Sequence, residues 1–100
     1  MNAILRWRTF EEGGRKKLPA CEGTPPYATV IRFKDTNEPW PPPIAWQLIV
    51  EKKRTLSNDF EWEVGVRYLV EDAPSNELVA GREFELFEGG KMVAEGRLTH

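Results

Sequence analysis

The run Arg15-Lys16-Lys17, with Arg6 and Arg8 shortly before it, is the stretch of this 100-residue chain best suited to gripping an anionic partner. A basic cluster attracts phosphate by charge alone, but three neighbouring cations in a loop equally describe a solvated loop, and that plainer reading carries more weight. Lys52-Lys53-Arg54 is a second cluster, expected at a strand end, where Lys protects an edge against aberrant pairing. Nucleophilic chemistry has little to work with. Cys21 is the single cysteine and His100 the single histidine, at the chain end, so neither a Cys/His pair nor a Cys/His metal site can be assembled. Cys21 lies in a Pro/Gly-rich loop, where an exposed but unactivated thiol is expected. Glu61/Glu63 and Glu83/Glu85 are paired carboxylates, each pair on one face of its strand. General acid/base work needs one of them desolvated in a cleft, and they read instead as wet outer faces. A binding module is therefore expected rather than an enzyme, with no cofactor.

The charge balance narrows the partner. Fourteen Lys and Arg against 16 Asp and Glu give a formal charge of −2, too acidic for a protein that coats nucleic acid or an anionic membrane by bulk charge. The surplus of acid is local. The first fifty residues hold seven basic and five acidic groups, a sum of +2, and the last fifty hold seven and eleven, a sum of −4. No stretch approaches the roughly 18 consecutive apolar residues of a membrane helix, and the N-terminus carries two arginines in place of a signal-peptide core, so a cytoplasmic protein is expected.

The elements that must position these residues are strands. Phe60, Trp62, Val64, Val66, Tyr68 and Val70 alternate with Glu61, Glu63, Gly65, Arg67 and Leu69, a period of two that predicts a long half-buried strand. Ile44, Trp46, Leu48 and Val50 repeat it against Ala45, Gln47, Ile49 and Glu51. Tyr27, Thr29, Ile31 and Phe33 repeat it again, and Ala3 to Phe10 forms a weaker strand. Trp7, Trp46 and Trp62 belong to core faces. Glu88-Gly89-Gly90-Lys91 predicts a two-residue hairpin turn with both glycines at positive φ, pairing Arg82–Phe87 with Met92–Leu98 so that Glu88 faces Lys91 and Phe87 faces Met92. Glu38-Pro39-Trp40-Pro41-Pro42-Pro43 is stiff, and Trp40 is expected to cap the rim of the fold. About six strands with no helix between them predict a single all-β domain, an antiparallel closed or nearly closed barrel.

Gly81-Arg82-Glu83-Phe84-Glu85-Leu86-Phe87-Glu88-Gly89-Gly90-Lys91-Met92-Val93-Ala94-Glu95-Gly96 resembles the closing hairpin of the C-terminal, third domain of bacterial elongation factor Tu, a family that there runs Gly, Phe, aliphatic, Glu-Gly-Gly-Arg, Val, Gly at the same spacing. Glu12-Gly13-Gly14-Arg15, Pro19 and Gly23-Thr24-Pro25-Pro26 are similar, in the same order, to an earlier loop of that domain. The resemblance implies a six-stranded antiparallel barrel that touches tRNA backbone and a protein neighbour. It also implies, residue by residue, that Gly13, Gly14 and Arg15 in the first loop and Gly89, Gly90 and Lys91 in the hairpin face that partner, whereas Lys16 and Lys17, which stand where the family is one residue shorter and has His-Thr, join them as candidates from the basic run alone. No Gly-x-x-x-x-Gly-Lys-Ser/Thr motif is present, so GTP binding does not carry over. A protein partner is the first expectation and weak, backbone-directed RNA binding through Arg15, Lys16, Lys17 and Lys91 the second. A single basic face holding both glycine turns would favour RNA, and scattered charge with an exposed apolar patch would favour protein.

Overall fold

In the computed structural model of the chain, which describes residues 1–22, 25–37, 39–42 and 44–100, the period-two segments form six strands. They are β1 (Asn2–Trp7), β2 (Tyr27–Phe33), β3 (Gln47–Thr55), β4 (Glu61–Tyr68), β5 (Glu83–Glu88) and β6 (Lys91–Leu98). Gly23, Thr24, Glu38 and Pro43, which belong to the motifs above, lie outside the described residues. Alternation sends Leu5 and Trp7, Leu48 and Val50, Trp62 and Val64, and Phe84 and Leu86 inward, where all are buried. The strands pair antiparallel in the order β1-β4-β3-β2-β5-β6, and β6 pairs back to β1, so the expected all-β barrel is closed. Closure leaves no row of unpaired backbone groups for another chain to add to.

The order of strands dictates what closes the two mouths. β1 and β2 stand three steps apart around a six-stranded ring, on opposite walls, and so do β4 and β5. Their connections must therefore cross the barrel, residues 8–26 over one mouth and residues 69–82 over the other. Each crossing loop drops apolar side chains into the opening. The first buries Cys21 and packs Leu18 against the core, and the second buries Ala73 and packs Leu78. The interior is thus filled, as small barrels require.

The closing hairpin has the expected register, with Glu88 opposite Lys91 and Phe87 opposite Met92. Only Gly89 takes positive φ, at +63°, so the turn places its left-handed residue first and Gly90 does not share the conformation expected of it. Between Leu86 and Phe87 the register shifts, because Leu86 pairs with Ala94 while Phe87 pairs with Met92. Val93 and Ala94 are consequently both buried, the usual result of a bulge.

Three expectations are corrected. Lys52-Lys53-Arg54 does lie at a strand end, β3 stopping at Thr55, but it guards no edge: the stretch pairs with β4 through a register shift between Lys52 and Arg54, the Lys52 ammonium lies 4.4 Å from the Trp62 ring centroid and Arg54 Nε donates to Glu63 at 2.9 Å. Trp40 stacks on Phe87, on the outer wall rather than the rim, with ring centroids 4.3 Å apart and planes at 27°. Ile44 and Val70 leave the core faces assigned to them, being 61% and 49% exposed, because β3 begins only at Gln47 and β4 ends at Tyr68. A single 3₁₀ turn, Ser75–Glu77, interrupts the loop between β4 and β5.

Candidate interaction site

The barrel brings the two glycine-centred segments to the same end. Arg15 of the first loop forms an ion pair with Glu88 at the start of the hairpin turn, 73 positions along the chain, and the Tyr27 hydroxyl donates to the same carboxylate oxygen. Arg15 Nε also donates to the Lys17 carbonyl at 2.9 Å. Burial first, and then the Glu88 carboxylate, push the Tyr27 hydroxyl well up from its ordinary range, so it stays a donor. Gly13–Lys17 and Gly89–Lys91 therefore do form one surface, but its central cation is committed to joining them. Removing either member of the Arg15–Glu88 pair is expected to loosen the first loop. A double-mutant cycle with Arg15→Ala and Glu88→Gln, read by chemical unfolding, should give a coupling of about 0.5–1.5 kcal/mol, the scale of a half-exposed, charge-assisted pair.

The glycines of the first loop have their own structural reasons. Gly13 sits at φ +94°, and Gly14 packs so closely under the backbone that a Cβ there would lie 2.1 Å from the Arg8 carbonyl oxygen. The Gly14 N–H is already donated to the Thr9 carbonyl at 2.8 Å, which leaves it unavailable to a phosphate. Glu12 completes the turn. Its carboxylate accepts from the Thr9 backbone N–H at 2.9 Å and from Arg6 Nη2 at 2.9 Å, and these bonds, Thr9 first, hold it at about 2. A carboxyl lowered from 4.5 contributes stability that is complete above its ordinary value and is lost as pH falls towards about 2. Acid titration of unfolding should show that loss in the native chain, and Glu12→Gln should flatten it over the same window.

Other cations at this end are also engaged. Arg6 lies 3.8 Å from Glu95 as well as on Glu12, and the Lys16 ammonium sits 5.8 Å from the Phe10 ring. Lys17 and Lys91 are exposed and make no ion pair among the described residues. Cys21, expected to be exposed, is buried, and desolvation pushes its thiol up to about 12. The paired carboxylates stay on the outer wall: Glu63 takes Arg54, and Glu61 accepts from Asn58 at 2.7 Å. Among the described residues no group of three His, Cys, Asp or Glu side chains could hold a metal ion, and no helix is long and apolar enough to cross a membrane.

The opposite end has a different character. Of the six large apolar residues that stand exposed among the described residues, Met1, Ile44, Leu69, Val70 and Val79 lie there, and Phe10 lies at the glycine end. The same end holds a cleft of about 300 Å³ lined by Ile31, Arg32, Phe33, Ile44, Trp46, Tyr68, Glu77 and Arg82, among others, so that Ile44 is the one of the five that lies in its wall. Arg82 builds its wall. Nε and Nη2 donate to the Asp35 carboxylate at 3.1 and 2.9 Å, and Nη1 donates to the Glu77 carbonyl at 3.1 Å. The guanidinium carbon lies 3.7 Å from the Phe33 ring centroid, so one side chain ties the 34–46 loop to the 69–82 loop. The hydrogen bond to Arg82 lowers the Asp35 carboxyl, and the one to Asp35 raises the guanidinium.

Compared with protein-family models, with curated proteins and with solved structures, the chain matches none. Function has to be read from the chemistry of the two ends. The residues of the cleft end escape sequence reasoning because period two extends the strands past their real limits. The signals that mark those limits are the prolines up to Pro42 before Ile44 and the acidic pair Glu71-Asp72 after Val70.

Proposed function

We propose that this chain is a cytoplasmic, non-enzymatic binding module whose partner is a protein, docked on the end formed by the 34–46 and 69–82 loops. One observation carries the reading: five of the six exposed large apolar residues among the described residues stand at that end, which also holds an aromatic-lined cleft with Ile44 in its wall. Contiguous apolar surface around a cleft marks interaction sites in soluble proteins, since leaving it in water is unfavourable. The likeness of Gly81–Gly96 to the closing hairpin of the elongation factor Tu third domain supports a partner within translation.

Affinity capture from cell extract tests this with two variants beside the native chain. Ile44→Asp/Val70→Asp should abolish recovery of polypeptides that the native chain and Lys17→Ala/Lys91→Ala both retain. Equal recovery by all three would overturn the reading. A second reading, weak RNA binding, is supported by the union of both glycine turns in one surface with Lys16, Lys17 and Lys91 exposed. The engagement of Arg15 and Arg6 by carboxylates weighs against it. Saturable tRNA binding at low salt that weakens in Lys17→Ala/Lys91→Ala would establish the RNA reading in place of the first.

A further inference from the structure

The loop 69–82 joins apolar and acidic groups in one exposed stretch. Leu69, Val70, Glu71 and Asp72 are consecutive and all exposed, and neither Glu71 nor Asp72 makes an ion pair among the described residues. The loop holds three acidic residues, Glu77 being the third, against one cation, Arg82, which pairs with Asp35 at 2.9 Å and lies 3.8 Å from the Glu77 carboxylate, so the uncompensated carboxylates are Glu71 and Asp72. Glu77 lines the cleft itself beside Arg32 and Arg82, so the unbalanced negative charge of this end lies outside the cleft, on Glu71 and Asp72. Resting on the protein-binding reading above, we infer that the occupant of this end is a basic peptide segment that inserts a large apolar side chain into the cleft and sets flanking lysines or arginines against Glu71 and Asp72.

Three features of the surface select that occupant. A cleft of about 300 Å³ sits at the lower limit of ligand pockets and suits a single bulky side chain. Unpaired carboxylates beside exposed apolar groups reward positive charge in the partner, which raises the encounter rate and fixes register. A second copy of this chain is disfavoured, because a two-fold contact through this end would bring the same acidic loops together.

The test uses three synthetic peptides: a Phe-Leu pair flanked by lysines, the same pair flanked by glutamates, and a lysine peptide with Ser-Ser at its centre. Amide chemical shifts of the full chain report the location of binding. The lysine–Phe-Leu peptide should perturb Ile44, Trp46 and Tyr68 to Asp72, and the other two should not. Glu71→Lys/Asp72→Lys should weaken it by about tenfold or more while gaining affinity for the glutamate peptide, as charge complementarity requires. Unchanged affinity in that variant, or equal binding of the glutamate peptide to the native chain, overturns the basic-segment inference and leaves the apolar docking end standing. Absence of any perturbation at this end by all three peptides, together with unchanged partner capture by Ile44→Asp/Val70→Asp, overturns both.

Discussion

Gly14→Ala is expected to lower the stability of the chain by about 3 kcal/mol, the upper range for forcing atoms into filled space. The added Cβ would meet the Arg8 carbonyl oxygen at 2.1 Å, the Arg8 carbonyl carbon at 2.6 Å and the Thr9 carbonyl oxygen at 2.8 Å, all of them backbone atoms that cannot swing aside. Relief requires the Thr9–Gly14 turn to open, breaking the N–H bond to Thr9 and displacing Glu12 from its two donors. Gly13→Ala makes the contrast. Nothing lies within 4 Å of a Cβ there, and only the φ of +94° opposes it, at a cost of about 1–2 kcal/mol. Guanidinium unfolding of both variants measures the difference. A Gly14→Ala chain as stable as the native one would remove the steric reason for that glycine and return weight to phosphate contact.

Trp7→Ala should be more damaging still, at about 3–5 kcal/mol, a large share of the 5–15 kcal/mol typical of a whole domain. Trp7 is fully buried at the glycine end of β1, with Tyr27 and Trp62 meeting it edge-on at centroid distances of 5.7 and 5.2 Å. Its Nε1 finds no acceptor among the described residues, so the ring is held by packing and not by a polar bond. Trp7→Phe, which keeps an aromatic face between those neighbours, should therefore lose much less than Trp7→Ala. Trp40→Ala, which removes only an outer-wall stack on Phe87, should cost about 0.5–1.5 kcal/mol. Thermal unfolding of the three variants orders these effects, and a Trp40→Ala loss equal to that of Trp7→Ala would contradict it.

What the sequence made legible follows from the range of each interaction. The strand Glu61–Tyr68 is written in its own alternation, and the hairpin register in its own turn, because both are local. Lys52 was the harder case: a cation in a strand is plausible only once Trp62 is known to lie beside it, and that neighbour arrives from the next strand. Arg15 is harder again. Nothing near it in sequence announces Glu88 and Tyr27, so a residue that fastens two loops has the same local signature as one that awaits phosphate. Ile44 and Val70 show the reverse error, since apolar residues in phase with a strand look like core until the strand is seen to stop.

Pairing of β1 with both β4 and β6 also sets an order of events during synthesis. β2, β3 and β4 neighbour one another along the chain and can pair as they emerge, whereas β1, the first strand made, obtains its second partner only when the stretch to Leu98 has been released. Until then one side of β1 presents unpaired N–H and C=O groups, the template on which edge-to-edge aggregation begins. The closing strand is thus the step that turns a vulnerable nascent sheet into a ring without a seam, and folding should be slow and all-or-none, as contacts between distant parts of a chain dictate.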